Sequence, residues 1–238
     1  MAQKFEYIYE SGDLIHVLQV KPSANSKLGT GRKVLQTYHF NKAQLDDFTQ
    51  DSANCLNCPF SFNQNGGKSG GCYTHKGQQL MGLKSMLRRL KRIKNDIKPL
   101  NSRKFLEFFV KAQAADLELV RFGAYGEAIL LDAGVKDYLF SLQSETTKVT
   151  TYTHAHKEIF DPRFTVSAHS YEEAMEAKEK YDYPMAFIVT PKGVQIDKRL
   201  AVVCPASKEA GKRLTCATCG LCAGSLSKSN KPVQIQDH

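Results

Sequence analysis

Seven cysteines gathered into two clusters constrain this chain more than any other feature. The first cluster is Cys55-x2-Cys58 with Cys72, and the second is Cys204 followed by Cys216-x2-Cys219-x2-Cys222. A two-residue spacer lets successive thiolates turn back onto one ion. The flanking residues suit such knuckles: Pro59 follows Cys58, Gly70 and Gly71 precede Cys72, and Gly220 lies inside the last. A disulfide framework needs an oxidising compartment, and seven thiols leave one over. A redox Cys-x-x-Cys pair follows a strand and opens a helix, whereas these pairs sit in loop-like sequence. The thiols therefore read as metal ligands, for one or two zinc ions or alternatively an iron–sulfur cluster. Adding one histidine makes two four-ligand sites. His238 would complete a set with Cys216, Cys219 and Cys222, while Cys55, Cys58, Cys72 and Cys204 would form the other. One ion held by four cysteines, with the rest as bystanders, is a second partition.

The rest of the chain is expected to form a single α/β domain over residues 1–238, with a metal-binding loop at 51–78 and a cysteine-rich segment at 204–238. No apolar run approaches the roughly 18 residues needed to span a bilayer, which argues against a membrane partner. Residues 1–10 are charged and carry no apolar secretory core, so a cytoplasmic location is expected, the host's cytoplasm for a phage-encoded protein.

Strands are predicted at 14–20 and 33–40, with Asn41 capping a short helix from Lys42 to Phe48. The Gly/Asn/Cys-rich stretch 51–78 has no periodicity, and metal ligation would explain how so long a loop becomes ordered. Leu80, Leu83, Leu87, Leu90, Ile93 and Ile97 recur at helical spacing and stop before Pro99. A further helix is predicted from Ser102 to about Ala115. Strands and helices then alternate: strands at 117–122, 148–152, 164–167, 185–189 and 200–203, with helices at 135–142 and 171–181. That alternation predicts a parallel sheet, open or closed into a TIM-barrel-like core.

Net charge is +9, and much of the excess lies between residues 84 and 104. Lys84, Arg88, Arg89, Lys91, Arg92 and Lys94 crowd one helix, the footprint of a polyanion binder. A solvated helix face would look similar, but the arginines favour phosphate contact and nucleic acid, DNA foremost, as the partner.

In parallel α/β folds, chemistry gathers at the carboxyl ends of the strands. Three segments are expected there: Gly123-Ala-Tyr-Gly-Glu127, Tyr152-Thr-His154 and Ser167-Ala-His169. Glu127, His154 and His169 are the candidate acid–base groups, with Asp161 a candidate nucleophile. Arg121, Gly123, Tyr125, Gly126, Tyr152 and Ser167 are candidates to line the substrate. Against this, a Gly-x-x-Gly turn is weak evidence, Asp161-Pro162 reads equally well as a turn, and a lone histidine is more often structural.

The segments 121–127, 152–154, 167–170, Cys204-Pro-Ala-Ser and Cys216-x2-Cys-Gly-Leu-Cys222, with Cys58-Pro and Cys72-Tyr, resemble a family of cysteine-rich phage and plasmid proteins over roughly residues 50–238. His169 stands where that family would carry an acidic residue. More distantly, the order of a Gly-x-x-Gly-Glu turn, a strand–helix unit, a buried strand and a cysteine knuckle closed by a histidine is similar to the tRNA-guanine transglycosylases and their phage DNA relatives. That likeness implies a barrel enzyme exchanging guanine for a 7-deazaguanine base in DNA. Glu127 would read the base, and Cys216, Cys219, Cys222 and His238 would hold zinc. The strand 185–189 carries no aspartate for the nucleophile, which leaves Asp161 or Asp132. An iron–sulfur enzyme of radical type and a non-catalytic zinc protein that binds nucleic acid are the two rival readings.

Overall fold

The alternation of apolar and polar residues from Phe5 onward builds a meander before any helix appears. The computed structural model describes residues 5–113, 116–211 and 213–236. Strands β1 (Phe5–Ser11), β2 (Leu14–Pro22) and β3 (Lys33–Asn41) pair antiparallel. The β1–β2 link is only Gly12 and Asp13, and Gly12 takes φ +56°, a conformation open to glycine at little cost. Helices α1 (Ser52–Cys55), α2 (Gly77–Arg92) and α3 (Ser102–Gln113) lie in the long crossover to β4 (Leu119–Tyr125), which pairs parallel to β3. Helix α4 (Ala133–Ser141) leads to β5 (Lys148–Thr150), parallel to β4.

The second sheet is parallel throughout. It contains β6 (Val166–Ala168), β7 (Ala186–Thr190), β8 (Val202–Val203) and β9 (Val233–Gln236) in the order β6-β7-β9-β8. Helix α5 (Tyr171–Tyr181) connects β6 to β7, and α6 (Cys216–Cys219) lies between β8 and β9. A parallel bridge from Thr153 to Val166 carries the first sheet into the second. The chain is thus mixed α/β with parallel segments, but its strands form two open sheets with free edges and do not close into a barrel. No helix among the described residues is long and apolar enough to cross a membrane.

Several elements follow the sequence pattern closely. Ser170 caps α5, accepting from the Glu173 amide at 3.0 Å, and the apolar stripe of α2 buries Leu83, Leu87 and Leu90. That helix ends at Arg92, earlier than its leucine spacing suggests, and Lys94–Asp96 continues as a single 3-10 turn. The helix expected up to Phe48 is only the turn Lys42–Leu45, capped by Asn41. The end of the helix expected near Ala115 lies outside the described residues. Strands β1 and β9 were not foreseen.

One apolar core spans both sheets. Leu18, Val20, Leu35, Val120, Phe122 and Val149 of the first sheet pack with Val166, Ala168 and Ile188 of the second, and with Phe109, Leu139 and Ala174 from the helices. The opposite face of the first sheet is covered twice. Helix α2 sits over Ile15, Val17, Phe40 and Tyr125, and the cysteine-rich tail sits over Val34 and Leu119.

Within the sheet two histidines are fully buried. Their Nδ1 atoms, on His16 and His39, lie 2.8 Å apart, and His39 Nε2 is 2.9 Å from Thr37 Oγ1. One ring must donate and the other accept, so the accepting ring is neutral and the pair cannot be doubly protonated in this geometry. Burial holds the His16 pKa down to about 4, against a smaller upward pull from Asp132, and pushes that of His39 well below normal. The unfolded chain takes up these protons near pH 6.5, before the native chain can, so stability falls as pH drops below 6.5 towards about 4. The expected slope is on the order of 1 kcal/mol per pH unit for each histidine. Urea midpoints measured from pH 7 to 4 should show this, and a His16→Gln, His39→Gln double variant should flatten it.

Candidate functional site

The carboxyl ends of β4 and β5 meet at Glu127. Strand β4 ends in a turn where Gly123 and Gly126 have φ +66° and +74°. The Gly123 amide donates to Thr37 Oγ1 at 2.9 Å. Gly126 lies against β3 so closely that a Cβ there would stand 2.5 Å from the His39 carbonyl oxygen. The turn delivers Glu127 into a buried position, 5% exposed. Its carboxylate accepts from Thr153 Oγ1 at 2.7 Å and from the His154 amide at 3.1 and 3.2 Å, with His154 Nδ1 3.3 Å away. A buried carboxylate needs this many donors, and Thr153 and His154 follow directly from β5.

His154 in turn stacks with His169, ring centres 5.8 Å apart and 11° from parallel, and the edge of Phe60 meets both rings. Three strand-end segments and the cysteine loop therefore converge here. Burial opposes a charged His154, but Cys58 and Glu127 outweigh it and push its pKa up to about 10. The Cys58 thiol acts at close range without reaching hydrogen-bond geometry, since His154 Nε2 is buried with no partner among the described residues. Burial, then the charge of His154, lowers the pKa of His169.

The thiols of the loop are neighbours of this pair. Burial raises the Cys55 pKa well above normal, and the charges of Asp51, Cys58, Glu127 and Cys72 push it further. Cys72 is raised by burial too, partly offset by Thr74, and it feels Cys58 and His154. The tail thiols form a separate set. Cys204, Cys216 and Cys222 pack in one apolar cluster with Leu28, Phe187 and Val233. Burial raises Cys216 to about 11, and it and Cys222 both sense Cys204 and Cys219.

Cys204 thus belongs with Cys216, Cys219 and Cys222 and not with the loop, which redraws the partition expected from the sequence. The Cys204 amide bonds to the Gln234 carbonyl at 2.7 Å, and Leu214 returns to the Pro205 carbonyl at 3.2 Å, folding residue 204 back beside the knuckle. His238 lies outside the described residues. All seven cysteines are free, and among the described residues no group of three or more His, Cys, Asp or Glu side chains converges in a geometry that would hold an ion. The donors are collected into two neighbourhoods without being preorganised around a point.

Other expected residues take different places. Asp161 is locked by Arg163, whose Nε and Nη2 each approach it at 2.8 Å, with Lys136 Nζ 3.8 Å away. Burial raises its pKa, but the Arg163 bonds outweigh that and hold it low, so it acts as half of an ion pair. Asp132 lies beside Tyr9 and His16 and lines a cavity with Glu10, Lys42 and Pro99. Tyr125 is a core residue, its hydroxyl accepting from Gln44 at 2.7 Å, and cannot line a substrate. Ser167 is buried and contributes its amide to the Thr153 carbonyl at 2.8 Å. Arg121 and Tyr152 lie on the face under the tail. On α2, Lys84, Arg88, Lys91 and Arg92 are exposed, as is Lys94 just beyond it, whereas Arg89 is half-buried and paired with Glu6. Phe60, Thr153 and Asn54 had no sequence signal beyond their position beside named residues.

No protein family, curated protein or solved structure matches the chain.

Replacing Gly126 with alanine forces a Cβ onto the His39 carbonyl at a positive φ, and should cost about 2–4 kcal/mol. Gly134→Ala, in open space on α4, should cost nothing or stabilise. Urea unfolding of both variants checks this.

Proposed function

We propose that this chain is a thiolate-metal enzyme acting on nucleic acid, with its reactive centre at the carboxyl ends of β4, β5 and β6. The observation that carries this reading is the meeting of the Glu127–His154 pair with the thiols of Cys55, Cys58 and Cys72. Sites with four protein ligands are closed and structural, whereas catalytic sites keep a position open for substrate. By that rule the three-thiol loop is the reactive set and the four-thiol tail is the structural one. Thiolate donors suit zinc or an iron–sulfur cluster. Bound at the loop, such a group would supply an electrophilic or redox-active position. Glu127, its oxygens filled by Thr153 and His154, orients the imidazole and is a poor nucleophile. His154 keeps Nε2 as its one ring nitrogen without a hydrogen-bond partner among the described residues, and with its pKa raised to about 10 it is charged at neutral pH and placed to give a proton.

Nucleic acid enters the reading through α2, whose exposed lysines and arginines lie on the helix covering the same side of the first sheet as the cysteine tail. Exchange of guanine for a 7-deazaguanine base in DNA is the second reading. It is favoured by the glycine turn that brings bare backbone up to Glu127. Its carboxylate nucleophile would have to be a residue other than Asp161, whose charge Arg163 already satisfies.

Elemental analysis and an ultraviolet–visible spectrum of anaerobically purified protein test the metal sites. The expected result is about two metal equivalents per chain, as zinc or as zinc with iron and sulfide. Cys58→Ser or Cys72→Ser should lose one equivalent and keep the other. Protein that retains no metal overturns the reading. Glu127→Gln should keep both metals and lose base exchange on DNA.

The α2 contact has its own test. Duplex binding should weaken with salt, with log K falling by about 0.9 per phosphate neutralised for each unit of log salt. Arg88→Ala with Arg92→Ala should lower that slope by about 2. A slope unchanged by the pair would show that α2 does not carry the contact.

A further inference from the structure

Arg121 lies in the middle of β4, on the face it shares with Leu119 and Tyr125 by strand alternation. Leu119 packs under the cysteine tail and Tyr125 under α2, so Arg121 occupies the gap between these two covers. Its Nη1 donates to Gln36 Oε1 at 3.1 Å and its Nη2 to Tyr73 Oη at 2.8 Å. Neither acceptor is charged. Beyond burial, the largest influences on it are the phenols of Tyr73, Tyr38 and Tyr152 and the thiol of Cys216, and among the described residues it forms no ion pair with a carboxylate.

Five other arginines of the chain behave differently, while the exposed Arg88, Arg92 and Arg213 are bathed by solvent. Arg32, Arg89, Arg103, Arg163 and Arg199 each pair with a carboxylate, although several are far more exposed. A guanidinium stays charged at any ordinary pH, and holding one among packed atoms without an anion is costly. Arg121 nonetheless keeps part of its surface open to solvent, as do Tyr38 and Tyr152, and Tyr73 is 51% exposed. It has five N–H donors, and two neutral acceptors leave donors to spare.

We propose that Arg121, with Tyr38, Tyr73 and Tyr152, forms a subsite for a nucleotide, the guanidinium taking the phosphate and the phenol rings the base. The planar fork of an arginine matches phosphate oxygens two at a time, and aromatic rings stack on any base. The subsite deepens the reading of the chain as a nucleic-acid enzyme and rests on it. Tyr73 directly follows Cys72, the turn Tyr73–His75 packs against α2, and Tyr152 precedes Thr153 and His154. A nucleotide held here therefore lies between the basic helix and the strand-end centre. An enzyme that acts on a base must draw it out of the stack, and a site with this chemistry would hold the extruded nucleotide.

Calorimetric titration of the full-length protein with guanosine 5′-monophosphate, guanosine and inorganic phosphate tests the subsite. The monophosphate should bind more tightly than either part. Arg121→Lys, which keeps the charge but loses the fork, should weaken it by about tenfold or more. Tyr73→Leu, at an exposed position that should leave folding intact, should weaken the monophosphate and leave inorganic phosphate unchanged. Binding of the monophosphate no tighter than phosphate alone overturns the base contact. Binding unaffected by Arg121→Lys, with metal lost from the tail, would instead make Arg121 a counter-charge to the Cys216 thiolate and overturn the subsite. If the wild type takes up an oligonucleotide but no mononucleotide, the subsite fails while the nucleic-acid reading stands. If it takes up neither, both fail.

Discussion

The arrangement of the strand ends depends on one buried carboxylate and the chain that closes around it. The Glu127 side chain gathers the hydroxyl of Thr153 and the amide of His154, while its own amide donates to the Asn54 carbonyl at 2.7 Å. Asn54 then donates through Nδ2 to the His39 carbonyl at 2.9 Å and accepts from the Asn41 amide at 3.2 Å. One acidic residue and one amide side chain thus fasten the start of the cysteine loop to β3, to the end of β4 and to the extension of β5. Each of these groups is buried, and each left unpaired would cost about 1–3 kcal/mol, so the knot is satisfied as a unit or not at all.

The same bonds alter the reason for the loop's order. For a stretch as long as 51–78 with little regular structure, metal ligation was one reason for order. The buried Asp51 instead accepts the amides of Phe62 and Asn63 at 2.7 and 2.8 Å. Asn65 ties the carbonyls of Pro59 and Ser61 at 2.8 and 2.7 Å, and His75 stacks on Phe62 with ring centres 4.2 Å apart. Local side-chain bonds to backbone, of the kind that Asp and Asn favour, thus contribute to the order of the segment. The same bonds flank Phe60, which lies against His154 and His169.

Where sequence was legible, a period or a cap carried the information. The leucine stripe of α2, the Asn41 cap of the turn that follows β3 and the strand–helix alternation in the second half all translate into the expected elements. Glu127, His154 and His169 were readable as strand-end residues, and they do meet. What escaped was fixed by contacts distant in sequence. Strand β8, expected at 200–203, is only two residues long, and its pairing with β9, which carries Cys204 to the tail knuckle, had no local signal. Closure into a barrel looked equally compatible with alternation, but β1, β2 and β3 form an antiparallel meander that supplies one edge instead of a return strand. Asp161 looked available because nothing in Asp-Pro-Arg announces that the arginine two residues on will fold back and claim both oxygens.

The two thiol sets are joined by four consecutive residues. The Thr151 amide donates to the Cys222 carbonyl at 2.8 Å, and the Tyr152 hydroxyl acts directly on the Cys222 thiol. Thr153 and His154 then bind Glu127. These four residues extend from the end of β5 and are tied to the second sheet by the Thr153–Val166 bridge, so they cannot shift one at a time. Burial keeps the Cys216 and Cys222 thiols protonated at neutral pH, and a cation is what would release those protons and draw the sulfurs together. Contraction of the tail would pull on Thr151 and Tyr152, and the next two residues along the same extended chain hold the acid–base pair. Residues 151–154 thus connect the tail thiols to the Glu127–His154 pair through one continuous run of backbone.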